Sequence, residues 1–203
     1  MTRRKVARPM FRISAPPLVN DWLLSRIAGF AALHPDIRIE LLTSGRRRSA
    51  AANVSIMPLT AANLRDGAKL LSEIRITPIC SPGFLAAHPV RTARDLLDLP
   101  LLDTIPSPKG WNEWFAAAGV SDELPSPFLA FDNHAQLYHA AVQGLGLALA
   151  MRSITAGQVA EGLLVEPIAL DCEFRPHLGI LVNEAANARL GRAFARWAEE
   201  ALG

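Results

Sequence analysis

The sequence has little of what most chemistry and cross-linking require. Its two cysteines, Cys80 and Cys172, are too few and too far apart for a disulfide framework or a thiolate metal site, so reduced thiols in a cytoplasmic protein are expected. Past Lys5 only Lys69 and Lys109 remain, neither in the setting of a cofactor lysine. No stretch approaches the ~18 apolar residues of a membrane span. Thr2-Arg3-Arg4-Lys5 has the look of a twin-arginine leader, but a leader continues into roughly 7–15 apolar residues. Here Arg12, Pro16, Pro17, Asn20 and Asp21 interrupt every such run, and an intracellular chain is expected. The five histidines, His34, His88, His134, His139 and His177, form no pair at metal spacing with a carboxylate. His134 and His139 are five apart and do not share a helix face. Gly144-Leu-Gly-Leu is no serine elbow and lacks the third glycine of a dinucleotide fingerprint. Neither an enzyme, a metal nor a cofactor is expected.

What is present is the composition of a soluble globular protein, half hydrophobic and one-fifth charged over 203 residues, enough for one large domain or two lobes. Scarce aromatics, at 6%, with abundant Ala and Leu favour helices packed on sheets over a β-sandwich. The net charge of +2 is unevenly placed: Arg3, Arg4, Lys5 and Arg8 lie in the first eight residues, and removing these four from 21 basic residues leaves 17 against 19 acidic ones. That arm and Arg46-Arg47-Arg48 lack interleaved aromatics and read as solvated, flexible charge rather than a nucleic-acid surface.

Along the chain, Phe11 to Ala15 alternates as a strand, and Pro16-Pro17 suits a helix start. Val19, Leu23, Ile27, Phe30 and Leu33 then mark one face of a single amphipathic helix ending at His34-Pro35-Asp36. Ile37 to Leu42 and the buried run Val54 to Met57 read as strands, giving a mainly parallel, helix-covered sheet. Ile74 to Cys80 is another strand, broken at Ser81-Pro82-Gly83. The pattern then restarts. Leu101 to Ile105 is a strand, Trp111 to Ala118 a core helix closed by Gly119, and Phe128 to Phe131 a strand. Asp132 and Asn133 cap a helix from His134 to Gln143, and Leu147 to Met151 is a strand. Ser153 caps a short helix ending at Gly162, Leu164 to Ile168 and Leu178 to Val182 are strands, and Leu190, Phe194, Trp197 and Ala201 stripe a closing helix. Two α/β units in succession suggest ligand binding at the carboxyl ends of the strands, in the crevice between them.

The order of several short stretches resembles the effector-binding domain of LysR-type transcriptional regulators, especially the branch of the glycine-cleavage activator. They are Phe11-Arg-Ile-Ser-Ala-Pro-Pro, Trp22-Leu-Leu-Ser-Arg26, Phe30-Ala-Ala-Leu-His-Pro-Asp-Ile37, Asn53-Val-Ser-Ile56, Ile79-Cys-Ser-Pro-Gly-Phe-Leu85, Asp95-Leu-Leu, Trp111-Asn-Glu-Trp-Phe, Phe131-Asp-Asn133, Ala140-Ala-Val-Gln-Gly-Leu-Gly-Leu147 and Phe194-Ala-Arg-Trp197. No piece is a chemical signature; their order over residues 11–203 carries the likeness. It implies two Rossmann-like α/β lobes of the periplasmic-binding-protein type II architecture. Residues 1–10 would be a basic arm, 11–79 with 174–203 the first lobe and 80–168 the second, with hinge crossovers near Cys80 and at Ala169 to Glu173. The family binds a small, often carboxylate-bearing effector in the cleft and signals to an N-terminal helix-turn-helix. That segment is expected to be missing here, since Met1 falls just before the first strand. The stretch between Leu42 and Asn53 is a few residues short for the family, and Asn53 stands where the family usually has aspartate.

Ser14, Ala15 and Pro16 would place one helix N-terminus, with its unpaired N–H groups, at the first lobe's strand ends. Asn133 and His134 would place another in the second lobe. Thr43 and Ser44 would add hydroxyls, Ser81 a further polar group, and Pro16, Met57, Ile105 and Met151 apolar walls. The plain alternative is that Ser14 and Asn133 only satisfy local backbone groups. The family also implies a homodimer, pairing the helix Leu18 to Leu33 with the partner's region around His134 to Gln143. Competing functions are an exported solute-binding protein of a transport system and a truncated regulator without a role of its own.

Overall fold

The computed structural model describes residues 8–43, 49–105 and 110–202. Ser44, Arg46 to Arg48, Lys109 and most of the basic arm therefore lie outside the described residues. The chain divides into two compact units, one ending at Ser72 and resuming at Pro176, the other running from Glu73 to Arg175.

The first unit opens with β1 (Met10–Ala15), α1 (Pro17–Leu24), α2 (Ile27–Leu33), β2 (Arg38–Thr43), β3 (Val54–Pro58) and α3 (Ala61–Arg65). It closes with α8 (Ala188–Leu202). Strand β1 is central, parallel to β2 with Ser14 opposite Leu42 and Ala15 opposite Thr43, and parallel to β3 with Ser14 opposite Ser55. The long strands β4 (Lys69–Ile79) and β8 (Cys172–Val182) each begin in one unit and end in the other. Strand β8 runs antiparallel to β3, with Val54 opposite Val182 and Pro58 opposite Leu178. The sheet is thus mixed rather than mainly parallel, because the returning C-terminal strand enters it in the opposite direction. The helix face meets the sheet through Phe11, Phe30 and Phe194, all 0–1% exposed, with ring centroids 5.2–6.0 Å apart. Burying rings of this size stabilises the unit by about 1.5–3 kcal/mol each.

Two local expectations change here. The helix expected from Leu18 to Leu33 is broken into α1 and α2 at Ser25-Arg26. The Ser25 hydroxyl donates to the Trp22 carbonyl at 2.8 Å, the Arg26 N–H to Leu23 at 2.9 Å, and Arg26 takes φ −128°. A hydroxyl bonding back to its own helix competes with the backbone ladder, and the tightened turn ends it. Asn53 acts as a brace: its carbonyl oxygen accepts the Arg12 N–H at 2.7 Å, and its amide donates to Ala186 at 3.0 Å, ahead of α8. A carboxylate there could accept the first bond but not donate the second.

The second unit continues with α4 (Pro82–Ala87), a 3-10 helix (Ala93–Asp98), β5 (Leu102–Thr104), α5 (Gly110–Ala117), β6 (Leu129–Phe131), α6 (His134–Val142), β7 (Ala148–Met151) and α7 (Arg152–Ala160). Strand β5 is parallel to β6, and β4 is antiparallel to β7 with Ile76 opposite Met151 and Ile79 opposite Ala148. Trp111, Trp114 and Phe115 form the expected core stripe, 3%, 0% and 1% exposed. The indole N–H groups of Trp111 and Trp114 donate to the Leu102 and Leu170 carbonyls at 2.9 and 3.1 Å. Gly119 closes the α5 turn at φ +73°, a left-handed conformation that costs glycine nothing.

Ser153 does not cap α7, which starts directly at Arg152 on the end of β7 with no side-chain cap. Leu164 to Ile168 is not a strand. Only Val165 makes a bridge, exchanging both backbone bonds with Cys80 at 2.8 and 3.1 Å, while Pro167 cannot donate to a ladder. The following residues are pinned instead. Leu170 accepts from Thr77 as well as Trp114, and Asp171 takes both Arg75 and Arg152, which also pairs with Glu166.

Candidate functional site

In the first unit, the carboxyl ends of β1 and β2 bring Ser14, Ala15, Pro16 and Thr43 together. Pro16 and Pro17 set the extended-to-helix transition, and α1 begins with no side-chain cap, leaving its first free N–H groups unanswered by any side chain. Ser14 is fully buried and its hydroxyl has no hydrogen-bond partner among the described residues. Met57 lies towards the same end of β3 but is 1% exposed, a packed residue beneath the site.

Asn20 carries a signal that the sequence pattern passed over. It sits on α1 between Val19 and Leu23, a polar residue on a face otherwise apolar, and is only 8% exposed. Its amide nitrogen lies 3.4 Å from the Ala15 carbonyl, 3.4 Å from the Leu42 carbonyl and 3.3 Å from the Thr43 hydroxyl. These three acceptors fix the orientation of the amide, and its oxygen is buried with no donor among the described residues.

In the second unit, β5 and β6 end together. The Ile105 N–H bonds the Phe131 carbonyl at 2.8 Å, placing Ile105, Asn133 and His134 at one edge. Ile105 is 66% exposed. Asn133 makes two local bonds: its oxygen accepts the Gln136 N–H at 3.0 Å as the α6 cap, and its nitrogen donates to Asp132 at 2.6 Å. Burial pushes the His134 imidazole below its ordinary value, favouring the neutral ring. That ring stands edge-on to Tyr138, 6.2 Å between centroids. Tyr138, the only tyrosine in the chain, was also missed. Its buried hydroxyl accepts the Met151 N–H at 2.8 Å and ties the end of β7 to α6. Ser81 lies elsewhere, at the Ile79–Ala148 end of β4 rather than the Ile76–Met151 end, and its hydroxyl caps α4 by accepting Phe84 N–H at 3.1 Å.

Other titratable groups have plain explanations. Cys80 is buried and its thiol is pushed up to about 11 by burial alone, the state of an inert packed thiol. Asp103 on β5 is also raised by burial, against a 2.8 Å bond from Thr104 N–H. Among the described residues no group of three or more His, Cys, Asp or Glu side chains is placed to hold a metal ion. A shallow cavity of about 210 Å³ beyond α5, lined by Asn112, Phe115, Val120, Ser121, Asp122 and Leu124, contains none of these residues. Its one carboxylate, Asp122, already pairs with Arg94 at 2.7 Å.

The sequence that folds into these two α/β units, with helix starts at their strand ends, matches the LysR substrate binding domain over residues 4–203. The chain belongs to this family. The AmpR activator of Pseudomonas aeruginosa is 32% identical over 154 residues, covering 74% of this chain and 51% of that protein. The TrpI regulator of the same organism is 29% identical and covers 98% of this chain and 70% of that protein. The glycine cleavage system activator of Escherichia coli is 26% identical over 90% of this chain. Among solved structures, the AmpR effector domain of P. aeruginosa superposes with TM-score 0.77 at 27% identity, covering 96% of each chain. The regulatory domain of CrgA from Neisseria meningitidis shares the fold at TM-score 0.72 and 20% identity, covering 97% of this chain and all of that one. The LysR-family chain described here spans about half the length of the first curated relatives, 43% of y4mQ from Sinorhizobium fredii and 51% of AmpR. No helix among its described residues is long and apolar enough to cross a membrane.

Proposed function

We propose that this LysR-family chain is an effector-sensing regulatory module that binds a small, carboxylate-bearing molecule and thereby modulates transcription. The observation that carries the ligand assignment is the polar cluster at the ends of β1 and β2, where α1 starts uncapped beside a buried, unpartnered Ser14 hydroxyl. Unpaired N–H groups at a helix start favour an anion. Thr43 supplies a further hydroxyl, Ser44 lies outside the described residues, and Ile105, Asn133, His134 and Met151 are the second unit's contribution. The family likeness supports both sets serving one ligand. Ser81, a cap at the other end of β4, is left out of that set.

The relatives are named as transcriptional regulators or activators. In this reading DNA is touched by a helix-turn-helix outside the described residues, and the module acts in the cytoplasm without catalysing a reaction. The hinge crossovers, expected near Cys80 and at Ala169 to Glu173, are set instead at the points where the two units part, Ser72–Glu73 in β4 and Arg175–Pro176 in β8. Two copies are proposed to pair through the α1–α2 face and the partner's region around α6, because Leu24 and Leu33 stand 63% and 70% exposed. Sedimentation at micromolar concentration should give a dimer; monomer alone would remove that element.

Calorimetry against amino acids and aromatic carboxylic acids tests the ligand assignment. Saturable binding of one member is expected, lost in Asn133→Trp while the thermal transition falls by no more than the ~1 kcal/mol of a lost cap. Unchanged affinity in Asn133→Trp would remove the second unit from the site.

A further inference from the structure

The two buried atoms at the ends of β1 and β2 differ in what they demand. Ser14 Oγ either donates or accepts. Asn20 Oδ1 only accepts, because its nitrogen partner is held by the Ala15 and Leu42 carbonyls and the Thr43 hydroxyl at 3.3–3.4 Å, which forbids turning the amide over. Both atoms are closed to solvent and without a hydrogen-bond partner among the described residues, and a buried acceptor that no protein donor meets is the exception in folded proteins and calls for a partner. Asn20 is anchored to the same first turn, its backbone N–H on the Pro16 carbonyl at 3.0 Å. The residue that carries the acceptor therefore belongs to the first turn of α1, whose start is uncapped.

We propose that the effector carries a hydrogen-bond donor next to its acid group, an ammonium, amide N–H or hydroxyl, which Asn20 Oδ1 accepts while Ser14 and the α1 N–H groups meet the carboxylate. A plain carboxylate satisfies only half of this arrangement and sets its own lone pairs against those of Asn20. The class is thus an amino acid, an amide-linked acid or a hydroxy acid rather than a simple mono- or dicarboxylate. Asn20 becomes the specificity-determining residue of the site that the preceding section assigns to the effector, and the inference rests on that assignment.

The experiment is calorimetry of the wild-type chain with matched pairs: L-alanine and propionate, L-phenylalanine and 3-phenylpropionate, L-glutamate and glutarate, with L-lactate as the hydroxyl member. In the pair that binds, the donor-bearing member should bind at least about tenfold more tightly, the size of one hydrogen bond gained and one lone-pair clash avoided. Ser14→Ala should weaken that member while leaving the melting temperature unchanged or higher, since the hydroxyl gives up no internal partner. Asn20→Leu should erase the discrimination; if that variant does not fold, the matched pairs and Ser14→Ala still decide. Equal affinity within the binding pair overturns the donor requirement and leaves the site standing. A crystal structure with the amine-bearing ligand bound and both atoms meeting only ordered water also overturns it. Binding of no member removes the site assignment and this inference together.

Discussion

Trp111 and Trp114 in the second unit each deliver a buried indole N–H to a carbonyl, at 2.9 and 3.1 Å. Trp22 in the first unit is as buried, at 2% exposed, yet its N–H finds no acceptor among the described residues. The same contrast holds at the strand ends. In the second unit Asn133 caps α6, Tyr138 accepts from Met151, and the Arg75–Asp171–Arg152–Glu166 chain pins the return segment. In the first unit Ser14 Oγ and Asn20 Oδ1 remain unmet, so all three buried, unpartnered side-chain atoms found among the described residues belong to it. Unmet polar groups cost stability wherever they are buried. The second unit is built as a finished scaffold, whereas the first keeps bonding capacity in reserve at the end where α1 begins.

A matched pair of tryptophan substitutions should break or sharpen this contrast most. Trp114→Phe leaves a cavity and removes a bond to Leu170, for an expected loss of about 2–4 kcal/mol in chemical denaturation. Trp22→Phe leaves a similar cavity but discards an N–H that had no partner, so its loss should be roughly 1–2 kcal/mol smaller. Equal losses would mean that the indole of Trp22 is served after all.

Next in size is the pair at the strand ends. Asn133→Ala removes a working cap and should cost ~1 kcal/mol. Ser14→Ala should cost nothing or raise stability by up to about 1 kcal/mol, because it deletes an unsatisfied group. Thermal scans of the two variants side by side would show the opposite order if Ser14 served the fold.

The smaller effects appear in acid. Hydrogen bonds and charge from Arg75, with Arg152 adding to them, hold the Asp171 carboxyl below the usual carboxylate range despite partial desolvation. Its contribution is full above about pH 4 and is lost as pH falls through the lowered folded value. Asp171 is partly open to water, so the effect should stay below about 1 kcal/mol. Asp171→Asn should flatten the acid limb of stability against pH; an unchanged limb would remove the clasp from the scaffold's account. The smallest effect belongs to His134, which burial keeps neutral. Its stabilisation is present above pH ~6.5 and fades as pH falls towards the lowered folded value, because the unfolded chain takes up the proton first. His134→Gln should level stability between about pH 7 and pH 5, and an identical slope would show the ring freely solvated.

The core stripes and the strand–helix order were legible because hydrophobic period follows directly from backbone geometry. Trp111, Trp114 and Phe115 as a core stripe, and Asn133 as the α6 cap, follow from the residue pattern alone. So does the family, from ten short stretches in order. The break at Ser25-Arg26 was hidden because Ile27, Phe30 and Leu33 keep helical spacing across it, while the Ser25 hydroxyl bond to Trp22, the tightened Arg26 N–H bond to Leu23 and the turned Arg26 backbone interrupt the ladder. Asn20 and Tyr138 were hidden for another reason. Each looks like a stray polar residue on an apolar face until distant strands supply its partners, Leu42 and Thr43 for one and Met151 for the other.

By itself the sequence determined the strands β1 to β3 and β5 to β7 and the helices α5, α6 and α8, since those properties depend on neighbours within a few residues. Tertiary structure alone decided that β8 enters the first sheet antiparallel, that the segment after Leu164 is pinned rather than paired, and which buried polar atoms are left unmet. Each of these depends on groups brought together across tens of residues, and a hydrogen bond is satisfied or orphaned only when the geometry of both partners is fixed.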